Sequence, residues 1–190
     1  MRFMLTLCVI IFYQCSDPAE LKNAKDNTTK ISLSEIVKEN GIATQNLTFH
    51  VIKSDYLLHV EHADSILKSF PVVFGSNPIG QKLMEGDRKT PEGKFKIRDL
   101  YPHSKWSKFM WIDYPNEESI KNHKAAKSRG EIPADAAIGG EVGIHGVPAG
   151  YDNIISEKQN WTWGCISLTT KDVNELYSVC QVGTEILISK

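Results

Sequence analysis

Apolar and polar positions alternate in short runs along most of the chain beyond residue 47, and that rhythm predicts strands. Leu47 to Ile52, Tyr56 to Val60 and Ile66 to Phe74 form three such runs. They are parted by Lys53-Ser54-Asp55 and His62-Ala63-Asp64, whose polar and small residues suit turns. Lys94 to Leu100 sets Phe95 and Ile97 against Lys94, Lys96 and Arg98, the period of two of a half-buried strand. Phe109 to Tyr114 and Val142 to His145 predict further strands. Thr184 to Ile188 predicts a closing one after a turn at Gly183.

Helical signals appear twice. Ile31 to Glu39 suits a short helix, with Ser32 or Ser34 as cap and Gly41 closing it. Further on, Thr169 or Thr170 caps a run from Lys171 to Val179 that places Val173, Leu176 and Tyr177 on one face. Asp172 near its start suits the helix dipole. The pattern therefore predicts a mainly β domain at 47–190 with few helices, and no internal repeat.

The N-terminus differs in kind. Met1 and Arg2 precede an apolar run from Phe3 to Tyr13, broken only by Thr6. Eleven residues are too few for an ordinary membrane span and fit the core of a secretory signal, so residues 1–15 read as a signal peptide. Cys15, directly after the run, resembles the lipid-modified first residue of a bacterial lipoprotein, which would give membrane anchorage. Phe12-Tyr13-Gln14 depart from the Leu and small residues usual before such a cysteine. Residues from Ser16 to Thr29 are polar and read as a tether, so 16–46 is expected to hold the tether and the short helix.

At 190 residues the chain holds one domain with a real core rather than two. A net charge of −1 supplies no field to recruit nucleic acid, and none is expected as a partner. Of four cysteines, Cys8 lies in the signal and Cys15 beside it, leaving Cys165 and Cys180 to pair. The helix between them would span about 16 Å, against the roughly 7 Å that a disulfide tolerates, so Cys165 is expected to be free.

Two glycine-containing segments carry candidate chemistry. One is Gly143-Ile144-His145-Gly146-Val147-Pro148; the other is Trp161-Thr162-Trp163-Gly164-Cys165-Ile166-Ser167-Leu168. A histidine at a strand end and a cysteine at the edge of the next element can meet across one loop, and an imidazole can draw a thiol toward thiolate. Glycine before Cys165 would let a substrate carbonyl approach the N–H groups of Gly164 and Cys165 as an oxyanion hole. On spacing alone two blander readings stay open: Cys165 as a small buried hydrophobe before a helix, and His145 as a satisfied polar residue. Trp161 and Trp163 suit either a wall of the site or ordinary core. No metal is expected, since His145 and Cys165 lack a second nearby pair and His59 and His62 face opposite sides of a strand. Thr90-Pro91-Glu92-Gly93 reads as a tight β-turn leading into the Phe95 strand.

Taken together, these segments resemble the L,D-transpeptidase catalytic domain of the YkuD type. The resemblance rests on His145-Gly146, Gly164-Cys165-Ile166-x-Leu168 before a helix, and the closing Val182-Gly183-Thr184-x-Ile186-Leu187-Ile188. It rests also on Thr90-Pro91-x-Gly93-x-Phe95 and Tyr114-Pro115-Asn116. It implies a β-sandwich or barrel with a few short helices, one following the catalytic cysteine. It implies Cys165 as nucleophile, His145 as general base and acid, Gly164 as an oxyanion donor, and no cofactor. Gly146, Thr162, Trp163 and Ser167 would touch substrate. The substrate implied is the peptidoglycan stem peptide, joined by 3→3 cross-linking in cell-wall biogenesis and cell shape, within the envelope or periplasm. A cysteine hydrolase or L,D-carboxypeptidase on peptidoglycan, and a non-catalytic wall-binding lipoprotein, are the alternatives. The chain departs from the family's Ser-His-Gly-Cys at Thr162-Trp163-Gly164-Cys165, and from its Arg or Asn two residues after the cysteine at Ser167. Indole only donates, so Trp163 cannot replace that histidine as proton carrier.

Overall fold

A computed structural model describes residues 31–190; the signal, the tether, Cys8 and Cys15 lie outside the described residues. The expected meander forms first. Strands β1 (Leu47–Ile52), β2 (Leu57–His62) and β3 (Ser65–Pro71) pair antiparallel in sequence order. Alternation decides which side faces in: Leu47, Phe49 and Val51 are fully buried while Thr48, His50 and Ile52 are only partly so. Burying each of those three apolar side chains stabilises the fold by about 1.5–3 kcal/mol.

The rest of the sheet is built outward from the C-terminal strand. β8 (Glu185–Ser189) runs parallel to β1 and antiparallel to β4 (Gly93–His103). β4 pairs with β5 (Ser107–Ile112), and β5 with β6 (Gly143–Gly146), both antiparallel. β7 (Ile166–Leu168) joins β6 in parallel. The order is β3-β2-β1-β8-β4-β5-β6-β7. Beyond β3 the chain then reaches the far edge. Val73 N–H donates to Ser167 O at 3.0 Å, Ser167 N–H to Val73 O at 2.8 Å, and Ser76 N–H to Thr162 O at 2.9 Å. Eight strands thereby form a nearly closed sheet around the main apolar core, beside a small second cluster of Val73, Val147 and Ile155.

Among the described residues four α-helices decorate it. α1 (Leu33–Glu39) opens on Ser32 in a capping box with Glu35, and Gly41 follows it with φ +62°. Leu33 and Val37 of this helix belong to the main core, and the compact unit takes in the chain from Ser32 onward. Glu175 ties the helix down, accepting from Leu33 N–H at 2.5 Å and pairing with Lys68. α4 (Thr170–Tyr177) follows the cysteine segment as expected, its N–H at Asp172 held by Thr169 Oγ1 at 3.1 Å.

Two helices and one strand correct the sequence reading. α2 (Glu117–Ser128) is the longest helix described, and α3 (Asn153–Ser156) is a single turn. The three residues of β7 carry no alternation of their own and become a strand through partners on both sides. Thr90 to Glu92 forms no turn; the turn falls at Glu85 and Gly86. Thr90 is fully buried because its Oγ1 accepts the Gly75 N–H at 3.1 Å, and Lys53 Nζ bonds Glu92 at 2.7 Å, which keeps the segment extended. No helix among the described residues is long and apolar enough to cross a membrane.

Candidate active site

The sheet register brings the two segments together. His145 lies opposite Ser167 across the parallel β6–β7 pair, and Cys165 stands two residues before Ser167. With a side-chain period of two, His145, Ser167 and Cys165 share one face. His145 and Cys165 both line a cleft of about 670 Å³, along with Lys82, Glu141, Trp161 and Trp163. Cys165 and Cys180 are free thiols, with α4 lying between them.

His145 is almost wholly enclosed, at 2% exposure. Its Nδ1–H donates to the carbonyl of Gly146 at 2.8 Å, and since a carbonyl only accepts, the neutral ring keeps its lone pair on Nε2. Trp106 stacks on one side at 4.5 Å, Phe109 lies parallel at 5.8 Å, and Trp161 meets the ring edge-on at 5.6 Å. Burial pushes the imidazole down to about 4; the Gly146 hydrogen bond opposes this, and the nearby His103 adds to it.

The Cys165 thiol donates to the carbonyl of Glu141 at 3.6 Å, a residue with φ +57°. Burial pushes this thiol up to about 11, while a backbone hydrogen bond at Gly143 and the charge of Lys82 pull the other way. Burial thus favours the neutral form of both groups, thiol and imidazole.

The turn before the cysteine is fixed by Thr162, 3% exposed. Its hydroxyl donates to Cys165 O at 2.7 Å and accepts the Gly164 N–H at 3.2 Å. The Gly164 N–H, expected to face a substrate oxygen, is thus occupied, which leaves the Cys165 N–H as the backbone donor beside the thiol. Gly164 has φ +142°, and a Cβ there would sit 2.8 Å from Lys89 O, so only glycine fits. The Thr162 hydroxyl is thus engaged with the backbone on both counts. Gly146 likewise packs inward, where a Cβ would meet Trp106 O at 2.7 Å, and its carbonyl orients His145. Ser167 is fully buried beneath the site and its hydroxyl has no protein partner. Of the four expected substrate contacts, Trp163 alone is exposed, at 73%, with Arg88 over its ring at 5.3 Å.

Residues that sequence reasoning passed over build the walls. Lys82 and Asp87 form a buried ion pair at 2.8 Å beside Gly164. Burial works to raise the Asp87 carboxyl, yet bonds from Lys82 and from the N–H groups of Lys89, Leu83 and Met84 together hold it below its usual range. Tyr114 donates to Ile138 O at 3.2 Å and Asn116 caps α2, so Tyr-Pro-Asn anchors the loop that carries Glu141. From α2, His123 Nδ1–H reaches Leu83 O at 2.6 Å. Glu85 N–H donates to Ala137 O at 2.8 Å, joining the two wall loops. Among the described residues no group of three or more His, Cys, Asp or Glu is placed to hold a metal.

Comparison with known proteins follows this geometry. The family model for the YkuD L,D-transpeptidase catalytic domain matches residues 47–188. The chain belongs to the L,D-transpeptidase family. Among solved structures, the helical cell shape determining protein Pgp2 from Campylobacter jejuni superposes with a TM-score of 0.55 at 20% identity, covering 75% of this chain and 46% of that one. Bd1075 from Bdellovibrio bacteriovorus gives a TM-score of 0.53 at 19% identity, covering 75% and 47%. At such identities they share the L,D-transpeptidase fold, and the chain spans a little under half the length of either. A search of curated proteins finds no match.

Proposed function

We propose that the chain is a peptidoglycan L,D-transpeptidase working through a thioester on Cys165. The observation that supports this most is the shared cleft: Cys165 and His145 both line it, and the His145 Nδ1–H is held by Gly146 O, which leaves the lone pair on Nε2. The thiol leaves Glu141 O and gives its proton to His145 Nε2. The thiolate then attacks the carbonyl at the L-centre of the stem peptide's diamino acid. The developing oxyanion takes the Cys165 N–H, joined by Gly164 N–H when that group releases Thr162. Protonated His145 hands its proton to the departing D-alanine amine, leaving an acyl thioester. A side-chain amine from a second stem attacks the thioester, its proton passes to His145, and the thiol is regenerated with a 3→3 cross-link formed. Exposed Trp163 contacts the substrate at the mouth of the cleft.

The family acts on peptidoglycan in the cell envelope. In this reading the chain is exported by its N-terminal signal, works in the periplasm and is anchored through an acylated Cys15. A role in cell shape, as named for Pgp2, accords with such wall chemistry.

The test is mass spectrometry of the protein incubated with disaccharide-tetrapeptide. The expected result is an adduct on Cys165 with loss of D-alanine, then cross-linked dimers, all absent from Cys165→Ala. Released D-alanine without dimers makes water the acceptor and the enzyme a carboxypeptidase. Folded protein with neither adduct nor product overturns the enzymatic reading in favour of wall binding.

A further inference from the structure

We infer that His103 is a substrate-positioning residue of this cleft, presenting a fixed Nε2–H to an oxygen on the acyl side of the bound peptide. This rests on the reading of the cleft as a stem-peptide site. His103 lines the same cleft as His145 and Cys165, at the end of β4. Its Nδ1 accepts two backbone N–H groups, from Lys105 at 3.2 Å and Trp106 at 3.3 Å. An atom that accepts twice carries no proton, so the hydrogen of the neutral ring is on Nε2. Nε2 has no protein hydrogen-bond partner among the described residues.

The ring is also fixed in plane. It stacks on Trp106 with centroids 4.3 Å apart and planes 11° from parallel, and the other side of the aromatic row continues from Trp106 to His145 at 4.5 Å. Two histidines thus flank one indole with opposite tautomers, each dictated by the main chain. His145 is bound through an Nδ1–H and offers a lone pair; His103 is bound through an Nδ1 lone pair and offers an N–H. A peptide supplies what each lacks, since its carbonyl and carboxylate oxygens accept hydrogen bonds while its reaction demands a base.

The spacing says which oxygen. Stacking intervals of 4.3 and 4.5 Å put His103 at most about 9 Å from His145, a span that two or three extended residues cover at roughly 3.4 Å each. The leaving side of the proposed cut carries a single D-alanine, so an oxygen that far from the base belongs to the acyl side.

Binding to the full chain carrying Cys165→Ala tests this without turnover. The dissociation constant for disaccharide-tetrapeptide is measured by calorimetry in that parent and with His103→Asn or His103→Gln added. Asn keeps an acceptor for the Lys105 and Trp106 N–H groups and removes the outer donor; binding is expected to weaken about threefold to tenfold. Gln carries an amide N–H out to the Nε2 position and is expected to bind within about twofold of the parent. Equal affinity in the Asn variant overturns the inference. So does a Gln variant as weak as Asn, which would assign the loss to stacking on Trp106. No binding by the parent overturns the peptide-site reading and this one with it. Long-range proton–nitrogen spectra of the free protein give a second check, because a proton found on His103 Nδ1 sinks the argument before any ligand is added.

Discussion

Gly146 sets the chemistry of His145: the carbonyl of one residue accepts the Nδ1–H of its neighbour at 2.8 Å and so presents the base from Nε2. In the proposed mechanism the orienting partner that a catalytic imidazole needs is the main chain itself, inside β6. No acidic residue has to be found for it, which is why none could be picked from the sequence.

That buried imidazole makes the fold sensitive to acid. Its value falls from 6.5 in the open chain to about 4 when folded. Between those limits the unfolded state binds more protons, so stability drops as pH falls through the window, by about 3 kcal/mol at most from this group. Urea unfolding at about pH 7 and pH 4.5 should show a smaller acid loss for His145→Gln than for wild type. Equal losses in both would remove His145 as the cause.

The thiol should behave in the opposite sense. With Cys165 pushed up to about 11, alkylation by iodoacetamide, followed by peptide mapping, should accelerate about tenfold per pH unit from neutrality and level off only near that value. A plateau below about pH 8 would mean that His145 and the thiol already form an ion pair at rest.

Gly164→Ala tests the approach to the nucleophile. The new Cβ would lie 2.8 Å from Lys89 O at a backbone angle of +142°. A loss of about 1–3 kcal/mol in urea unfolding is expected, with acylation of Cys165 reduced in the protein that still folds. A fully stable and active variant would show that the loop carrying Lys89 yields easily.

Much of this arrangement was readable in advance, and what was not has physical reasons. Phe95 and Ile97 announced β4 because their neighbours are charged. Ser32 or Ser34, and Thr169 or Thr170, announced two helix starts as side chains able to hold N–H groups, and Ser32 and Thr169 are the caps. α2 escaped because it buries only His123 and Ala126 among its twelve residues, leaving no apolar stripe. Its one signal was Asn116 followed by Glu117 and Glu118, a cap with acidic residues in the first turn. Pro91 suggested a turn, but Thr90 was claimed by Gly75, far away in the chain. Cys165 and His145 were proposed through their glycines; Lys82, Asp87 and His103 come to this part of the fold through long-range contacts that no local spacing encodes.

Lys82→Met should be costly. It strands the Asp87 carboxylate, whose ion pair is 4% and 9% exposed on its two sides. A loss of about 3 kcal/mol or more is expected by urea unfolding, and Lys82→Met with Asp87→Asn should recover part of it. No recovery in the double variant would mean that Asp87 is needed for the three N–H groups it accepts.

Trp163→Ala should separate binding from folding. Its side chain is 73% exposed, so stability should change by no more than about 0.5 kcal/mol. Weaker binding of disaccharide-tetrapeptide in calorimetry is the expected effect; unchanged affinity would remove Trp163 from the substrate site.

The three-residue strand β7 takes its hydrogen bonds from β6 on one side and from the segment after β3 on the other. Cys165 therefore stands beside the joint where the segment after β3, the first strand of the sheet order, meets β7, the last. A chain that has formed every hairpin but not this joint has no enclosed thiol, no paired Ser167 backbone and no cleft. An enclosed Cys165 beside His145 is a property of completed closure, and a chain without this joint carries an open cysteine instead.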